Sequence, residues 1–290
     1  MVGKGREAIK MIVDSGSIVE NAIDDYQMDS DLGPGAVVCT ARIHDQPVTL
    51  IANDARAINP RFRRVVYAGV IGLEEAYKMA TGVYRTIETD RQKPLAQKRP
   101  IVLIVDTPGN GAGKLEEVLG IYNATGAYQL ALAEARKMGH SVVAMIIGRA
   151  ISGGFLCHGL QADHILSLSK EFGTMIHVMP LTSIARITKI DIKRLEDLAK
   201  TNPVFAAGVD FFYHLGGVEA IIDKIEDMRE VIVRHINEVR EAKVAGQSER
   251  LGPWGRGLLG AERGGRTTWL SVIQRMLKEF EEIAPRYLNM

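Results

Sequence analysis

The chain of 290 residues is 46% apolar and 24% charged, with a net charge of +1. It has enough apolar side chain for a sizeable core, and its balanced charge favours neither a nucleic-acid groove nor a trap for acidic substrates. Two cysteines, Cys39 and Cys157, are too few for a disulfide framework and fit a reducing compartment; no Cys/His cluster has zinc-site spacing, so no metal is expected.

Residues 1–16 lack the apolar core of a secretory signal. Arg6 to Asp25 reads as a short amphipathic helix, a turn at Asp14-Ser15-Gly16-Ser17 and a brief second element. Ala36 to Ile43 and Val48 to Asn53 are rich in β-branched residues and flank His44-Asp45-Gln46-Pro47, a hairpin signal. Leu73, Ala76, Tyr77, Ala80, Val83, Tyr84 and Ile87 recur at helical spacing. Thr89 to Arg99 is polar, holds Pro94 and reads as an exposed loop.

The pattern then changes. Pro100 to Val105 is a continuous apolar run, the mark of a strand buried on both faces. A glycine-rich loop, Asp106 to Gly113, leads into a helix from about Leu115 to Met138. Val142 to Ile147 repeats the buried strand, and a second glycine-rich loop, Gly148 to Gly154, leads into a helix reaching about Leu160. His164 to Leu168 and Thr174 to Val178 read as further strands, Arg186 to Lys200 and Val218 to Lys243 as charged amphipathic helices. Gly246 to Gly265 reads as a loop and Thr268 to Ile283 as a last helix. The alternation implies an α/β core with parallel strands. We expect one domain over residues 1–290, with a core at about 36–230 and a helical extension at about 231–290. The longest apolar stretch is broken by Arg149 and is too short for a bilayer, so a cytoplasmic protein without a membrane span is expected.

Each glycine-rich loop joins a buried strand to a helix, which leaves backbone N–H groups at the helix start where the dipole favours negative charge. Two such loops facing each other can hold a carbonyl oxygen as charge develops on it; ordinary βα turns are the plainer reading. Neither loop carries the Lys-Ser/Thr of a P-loop or a dinucleotide fingerprint.

Ile104-Val-Asp-Thr-Pro-Gly109, with Gly148-Arg-Ala-Ile-Ser-Gly-Gly154 downstream, resembles the core of acyl-CoA carboxyltransferase subunits. Asp14 to Glu20, Ala36 to Ile43 and Val48 to Asp54 resemble the opening motif and first hairpin of that family. Gly148 to Gly159, Met175 to Val178 and Ala185 to Thr188 are most similar to its malonate decarboxylase γ subunits. The resemblance covers roughly residues 6 to 230, is strongest between Pro100 and Thr188, and leaves the stretch after Gly246 unplaced.

This resemblance implies an α/β fold of the crotonase/Clp-like β-β-α superhelix type with C-terminal helical additions. It implies a β carboxyltransferase-type partner and a malonyl thioester on the phosphopantetheine-type thiol of an acyl carrier protein, with no cofactor bound directly. Decarboxylation to the acetyl thioester passes negative charge to the thioester oxygen. The matching donors lie at Gly153 and Gly154 and around Gly109, Asn110, Gly111 and Gly113. In biotin-using relatives the corresponding hole holds the biotin urea oxygen, so biotin on a carrier protein stays open as a further partner.

Ser152-Gly153-Gly154 followed by Met175-Ile-His177 is also similar to the nucleophile and base segments of Clp-type serine peptidases. Asp210, Asp223 and Asp227 are the candidates for a third member. Alternatively, Ser152 and His177 are a non-peptidase polar pair lining the site, or Ser152 is a helix N-cap and His177 a structural core histidine. Arg186 is a candidate partner for a substrate carboxylate or a surface ion-pair residue. His158 reads as a core histidine before a site residue. The basic stretch Arg256 to Arg266, with Trp254 and Trp269, reads as a solvated loop or a carrier contact.

Overall fold

In chain order the strands are β1 (Val19–Glu20), β2 (Ala22–Ile23), β3 (Tyr26–Gln27), β4 (Ala36–Ile43), β5 (Gln46–Asn53), β6 (Ile101–Thr107), β7 (Val142–Ile151), β8 (His164–Leu168), β9 (Met175–His177) and β10 (Ala220–Ile222). The helices are α1 (Gly5–Ile12), α2 (Leu73–Thr89), α3 (Lys114–Leu119), α4 (Ile121–Lys137), α5 (Ser152–Cys157), α6 (Leu181–Thr188), α7 (Ile192–Ala199), α8 (Val209–His214), α9 (Met228–Val244), α10 (Gly252–Glu262), α11 (Trp269–Ile283) and α12 (Pro285–Leu288). This computed structural model describes residues 1–111, 113–179, 181–200 and 208–288.

The main sheet runs β1-β4-β5-β6-β7-β8-β10, with β9 added beside β7. The β4–β5 hairpin and β1 pair antiparallel, and every pairing from β5 onward is parallel. Along β6, Ile101, Leu103 and Val105 face one core with α2 and α4, where Met79, Val83, Tyr128 and Leu132 pack. Val102 and Ile104 face the other, with Ile9 and Ile12 of α1 and Ile232 and Ile236 of α9. A strand covered on both faces must be apolar at every position, and the runs in β6 and β7 follow from that.

The hairpin forms as expected, but its turn is the two residues His44 and Asp45, both at positive φ, so β5 begins at Gln46. Glycine at 120, in the left-handed region, splits the expected helix into α3 and α4. The segment 186–200 forms parts of two helices, with the Asp191 side chain capping α7. The segment 218–243 contains the edge strand β10 before α9.

The stretch 246–265 is not a loop: it contains α10, with a proline in the first turn. Nor do its basic residues form a solvated surface. Arg256 is buried and donates to the carbonyls of Ala162 and Leu160 at 2.8 and 2.6 Å. Arg263 donates to the carbonyls of Val218 and Glu219, and Trp254 meets Trp269 edge-on. These contacts bind α10 and α11 to the sheet edge. No described helix is long and apolar enough to cross a membrane.

Candidate active site

The site lies where β6 and β7 end side by side. β6 runs into Thr107-Pro108-Gly109, and the Thr107 hydroxyl both donates to the Gly109 carbonyl (3.0 Å) and accepts from its N–H (3.2 Å). The segment before α2 then clamps the loop: Ile71 N–H donates to the Gly109 carbonyl, and Gly111 N–H donates to the Ile71 carbonyl. The expected row of free donors through 109–113 is therefore corrected. The N–H groups of Gly109 and Gly111 are already bonded, whereas that of Asn110 makes no hydrogen bond among the described residues. Gly113 caps the start of α3 with extended backbone, close to the Glu116 carboxylate.

β7 continues beyond its expected end, through Gly148 and Arg149 to Ile151. That extension is held by Asp106, almost fully buried, which accepts from the Arg149 backbone N–H and from its guanidinium Nε, both at 2.9 Å. The Arg149 guanidinium also donates to the Ala68 carbonyl at 2.8 Å, tying in the segment that leads to Ile71. This pair was missed in the sequence. Its only signal there was one acid and one base, each placed against an apolar run.

At Ser152 the chain turns from strand to helix with φ +52°. A non-glycine residue in that region costs roughly 1–3 kcal/mol, and such strain collects at functional turns. The N-cap position belongs to Ile151, and no side chain caps the helix, so Ser152 is not the expected N-cap. The first-turn N–H groups at Ser152, Gly153 and Gly154 have no partner within α5. The two loops meet here without room for side chains. A Cβ at Gly154 would lie 2.7–2.8 Å from the Gly109 backbone, and one at Gly153 would lie 2.3 Å from the Asn110 amide oxygen.

β9 pairs with the end of β7 and sets His177 opposite Ile151. Ser152 and His177 line one cavity of about 90 Å³ whose other walls are Phe155, Leu156, Leu160, Val178 and Phe212. They do not hydrogen-bond each other, and His177 Nδ1 is buried without a partner among the described residues. Burial in these apolar walls lowers the His177 pKa from its ordinary value, so the ring is neutral at pH 7. Among the described residues no carboxylate orients His177: Asp210 pairs instead with Lys170, and neither Asp223 nor Asp227 reaches the unpartnered Nδ1. The peptidase arrangement thus lacks its third member among the described residues.

Arg186 is exposed on α6 and makes no ion pair among the described residues. His158 is in the core. Its Nδ1 accepts from Tyr128 Oη at 2.8 Å and its Nε2–H donates to the Ile104 carbonyl at 3.0 Å. Burial takes its pKa to about 4.

If Ser152 and His177 contact the reacting carbon, Ser152→Ala and His177→Ala in the assembled enzyme lower kcat more than they raise KM. The double variant then loses less than the two effects combined. Because the His177 pKa is lowered, the acidic limb it controls falls below about 6.5, with activity lost as pH drops through it. Steady-state profiles across pH check this; unchanged kinetics with earlier melting would make the pair structural.

Paired strand ends carry facing glycine turns, on a sheet that adds β9 along the extended β7, and the chain shares the crotonase-like fold of the carboxyltransferase-type structures it matches. The family model for the malonate decarboxylase gamma subunit matches residues 67–280, and the chain belongs to that family. It is an enzyme subunit of carboxyltransferase/decarboxylase type. It is 63% identical over 289 residues to a malonyl-S-ACP:biotin-protein carboxyltransferase of Malonomonas rubra, covering 99% of both chains. It is also similar to a chain of a Pseudomonas malonate decarboxylase hetero-tetramer in complex with coenzyme A, at 29% identity and TM-score 0.72, covering 96% of this chain and 99% of that one. A chain of a Pseudomonas hetero-dimer matches at 30% identity and TM-score 0.63, covering 86% and 96%. Transcarboxylase 12S, at 20% identity, shares the fold.

Proposed function

We propose that this chain, paired with a β-type carboxyltransferase subunit, transfers the malonyl carboxyl group from a malonyl thioester on an acyl carrier protein to biotin on a second carrier, leaving the acetyl thioester. The bond from carboxyl to methylene breaks, its electron pair passes to the methylene carbon, and the charge spreads to the thioester oxygen. The carboxyl group passes to the biotin ring nitrogen, which gives up its N–H proton, and that proton passes to the methylene carbon to complete the acetyl group. The first-turn N–H groups at Gly153 and Gly154 and the N–H of Asn110 are the donors for a developing oxyanion. One such donor is worth roughly 3–4 kcal/mol of barrier. Neutral His177, beside Ser152 in an apolar cavity, suits positioning or proton transfer at the same centre.

The observation that carries the reading is the contact of the two glycine loops at Gly109 and Gly154. Kinship to the Malonomonas rubra enzyme supports the biotin acceptor over decarboxylation without one. The rim supports a partner subunit: Leu115, Val118, Leu119 and Tyr122 beyond the first loop, and Leu156 and Val178 at the cavity, are all more than half exposed. An apolar rim of this kind marks an interaction face. Two buried, unpaired cysteines fit a cytoplasmic setting.

The purified chain alone should therefore release no detectable acetyl thioester from malonyl-S-ACP, and turnover should appear when the β-type partner is added. Avidin should abolish carboxyl transfer by the full system. Robust turnover by the chain alone would refute the shared site. Indifference to avidin would favour decarboxylation without a biotin acceptor.

A further inference from the structure

Outside the glycine-loop site, His164 at the start of β8 and His235 on α9 meet across 71 positions of sequence. Their Nδ1 atoms are 2.9 Å apart and their rings nearly perpendicular, at 76°. Glu238, one turn along α9, brings Oε2 to 3.1 Å from His235 Nδ1 and 4.0 Å from His164 Nδ1. We propose that His164, His235 and Glu238 form a binding site for one divalent transition-metal ion, which fastens α9 to the sheet edge.

Two Nδ1 atoms this close converge on one point. With metal–nitrogen bonds of about 2.0–2.1 Å they subtend about 90° at the ion, as adjacent ligands do in tetragonal or octahedral coordination. An opening of a few tenths of an ångström makes the angle tetrahedral. Paired imidazoles with one carboxylate suit zinc, nickel or copper and not the oxygen-seeking magnesium or calcium. Both rings are largely buried, and burial takes each pKa to about 4, so each is neutral with a lone pair to give.

Without an ion, the facing Nδ1 atoms must share one proton. The site opens on a cavity of about 360 Å³, lined also by Leu251, Glu262 and Arg263, which leaves space for water as a further ligand. It lies outside the glycine-loop site, whose cavity has no lining residue in common with this one. The ion is a structural tie between α9 and β8. Motif spacing hides such a site, because only the His235–Glu238 half is local in sequence.

The test is equilibrium dialysis of the chelator-stripped complex against Zn²⁺ and, separately, Ni²⁺, with metal counted by mass spectrometry. One equivalent per chain with micromolar or tighter affinity, and a Tm raised by several degrees, is expected. The Glu238→Gln variant, altered on a half-exposed helix face, should fold normally and bind at least tenfold more weakly. Cu²⁺ loaded into the unaltered complex should show hyperfine coupling to two histidine nitrogens, a readout that needs no variant. Absence of a stoichiometric equivalent, equal affinity in Glu238→Gln, or a Cu²⁺ spectrum without two coupled nitrogens would each overturn the proposal.

Discussion

Gly153→Ala in the assembled enzyme is expected to lower kcat by about 10²–10³-fold, the loss typical of one removed oxyanion donor, with the complex still formed. The new methyl group would stand 2.3 Å from the Asn110 side-chain oxygen, the far end of a side chain able to swing aside. The fold should therefore survive while the spacing between Asn110 and the α5 turn is lost. Gly154 is the contrasting neighbour: its Cβ would strike the Gly109 backbone, which is pinned by Thr107 and Ile71 and has nowhere to go. Gly154→Ala should cost stability as well as rate. Steady-state kinetics beside thermal melting and size-exclusion profiles separate the two. Near-normal turnover by a folded Gly153→Ala complex would remove the α5 turn from the chemistry.

Arg149→Met should destabilise the chain by about 3–5 kcal/mol, because it strands the Asp106 carboxylate in the core. Asp106 is nearly inaccessible, and the two N–H groups left to it, from Gly3 and Arg149, do not replace a guanidinium. With a Tm change of about 2–4 °C per kcal/mol for a chain near this size, the melt should fall by on the order of 10 °C. The double variant Asp106→Leu/Arg149→Met should melt above Arg149→Met alone, since the pair leaves together. A single variant within 1 °C of the parent would show that the clasp carries no net stability; such a loss is well below any buried pair on this scale.

The chemistry-bearing loops were legible because strands buried on both faces appear as unbroken apolar runs, and glycines mark where they end. Ser152 and His177 fit one pair by sequence and share a cavity, yet the expected carboxylate behind His177 is absent among the described residues. A triad's third member is fixed by tertiary placement, which spacing does not encode. The donor assignment was too broad for the same reason: Ile71, some forty positions upstream, takes the Gly111 N–H. Asp106 and Arg149 are 43 positions apart and meet only because β6 and β7 are neighbours. Helix α10 was hidden by its own glycines. Gly257 allows Trp269 to pack against the helix, and Gly255 lies against the Arg250 carbonyl, so close packing overrides the poor helix propensity of glycine.

Between the pairs Val105–Ile146 and Thr107–Ala150, β6 advances by two residues and β7 by four. The surplus is even, so β7 keeps its alternation: Ala144, Ile146 and Ala150 all belong to the core beneath α2 and α4, while Met145 and Ile147 belong to the other. An odd surplus would exchange the two cores from that point on, because side chains alternate with period two. A change of two residues in the reach of the strand that delivers Ser152 therefore keeps both cores as they are, and a change of one does not. Insertions or deletions within 147–149 should be tolerated in pairs, which sets a quantum for how far the active-site end can be remodelled while the scaffold stays as it is.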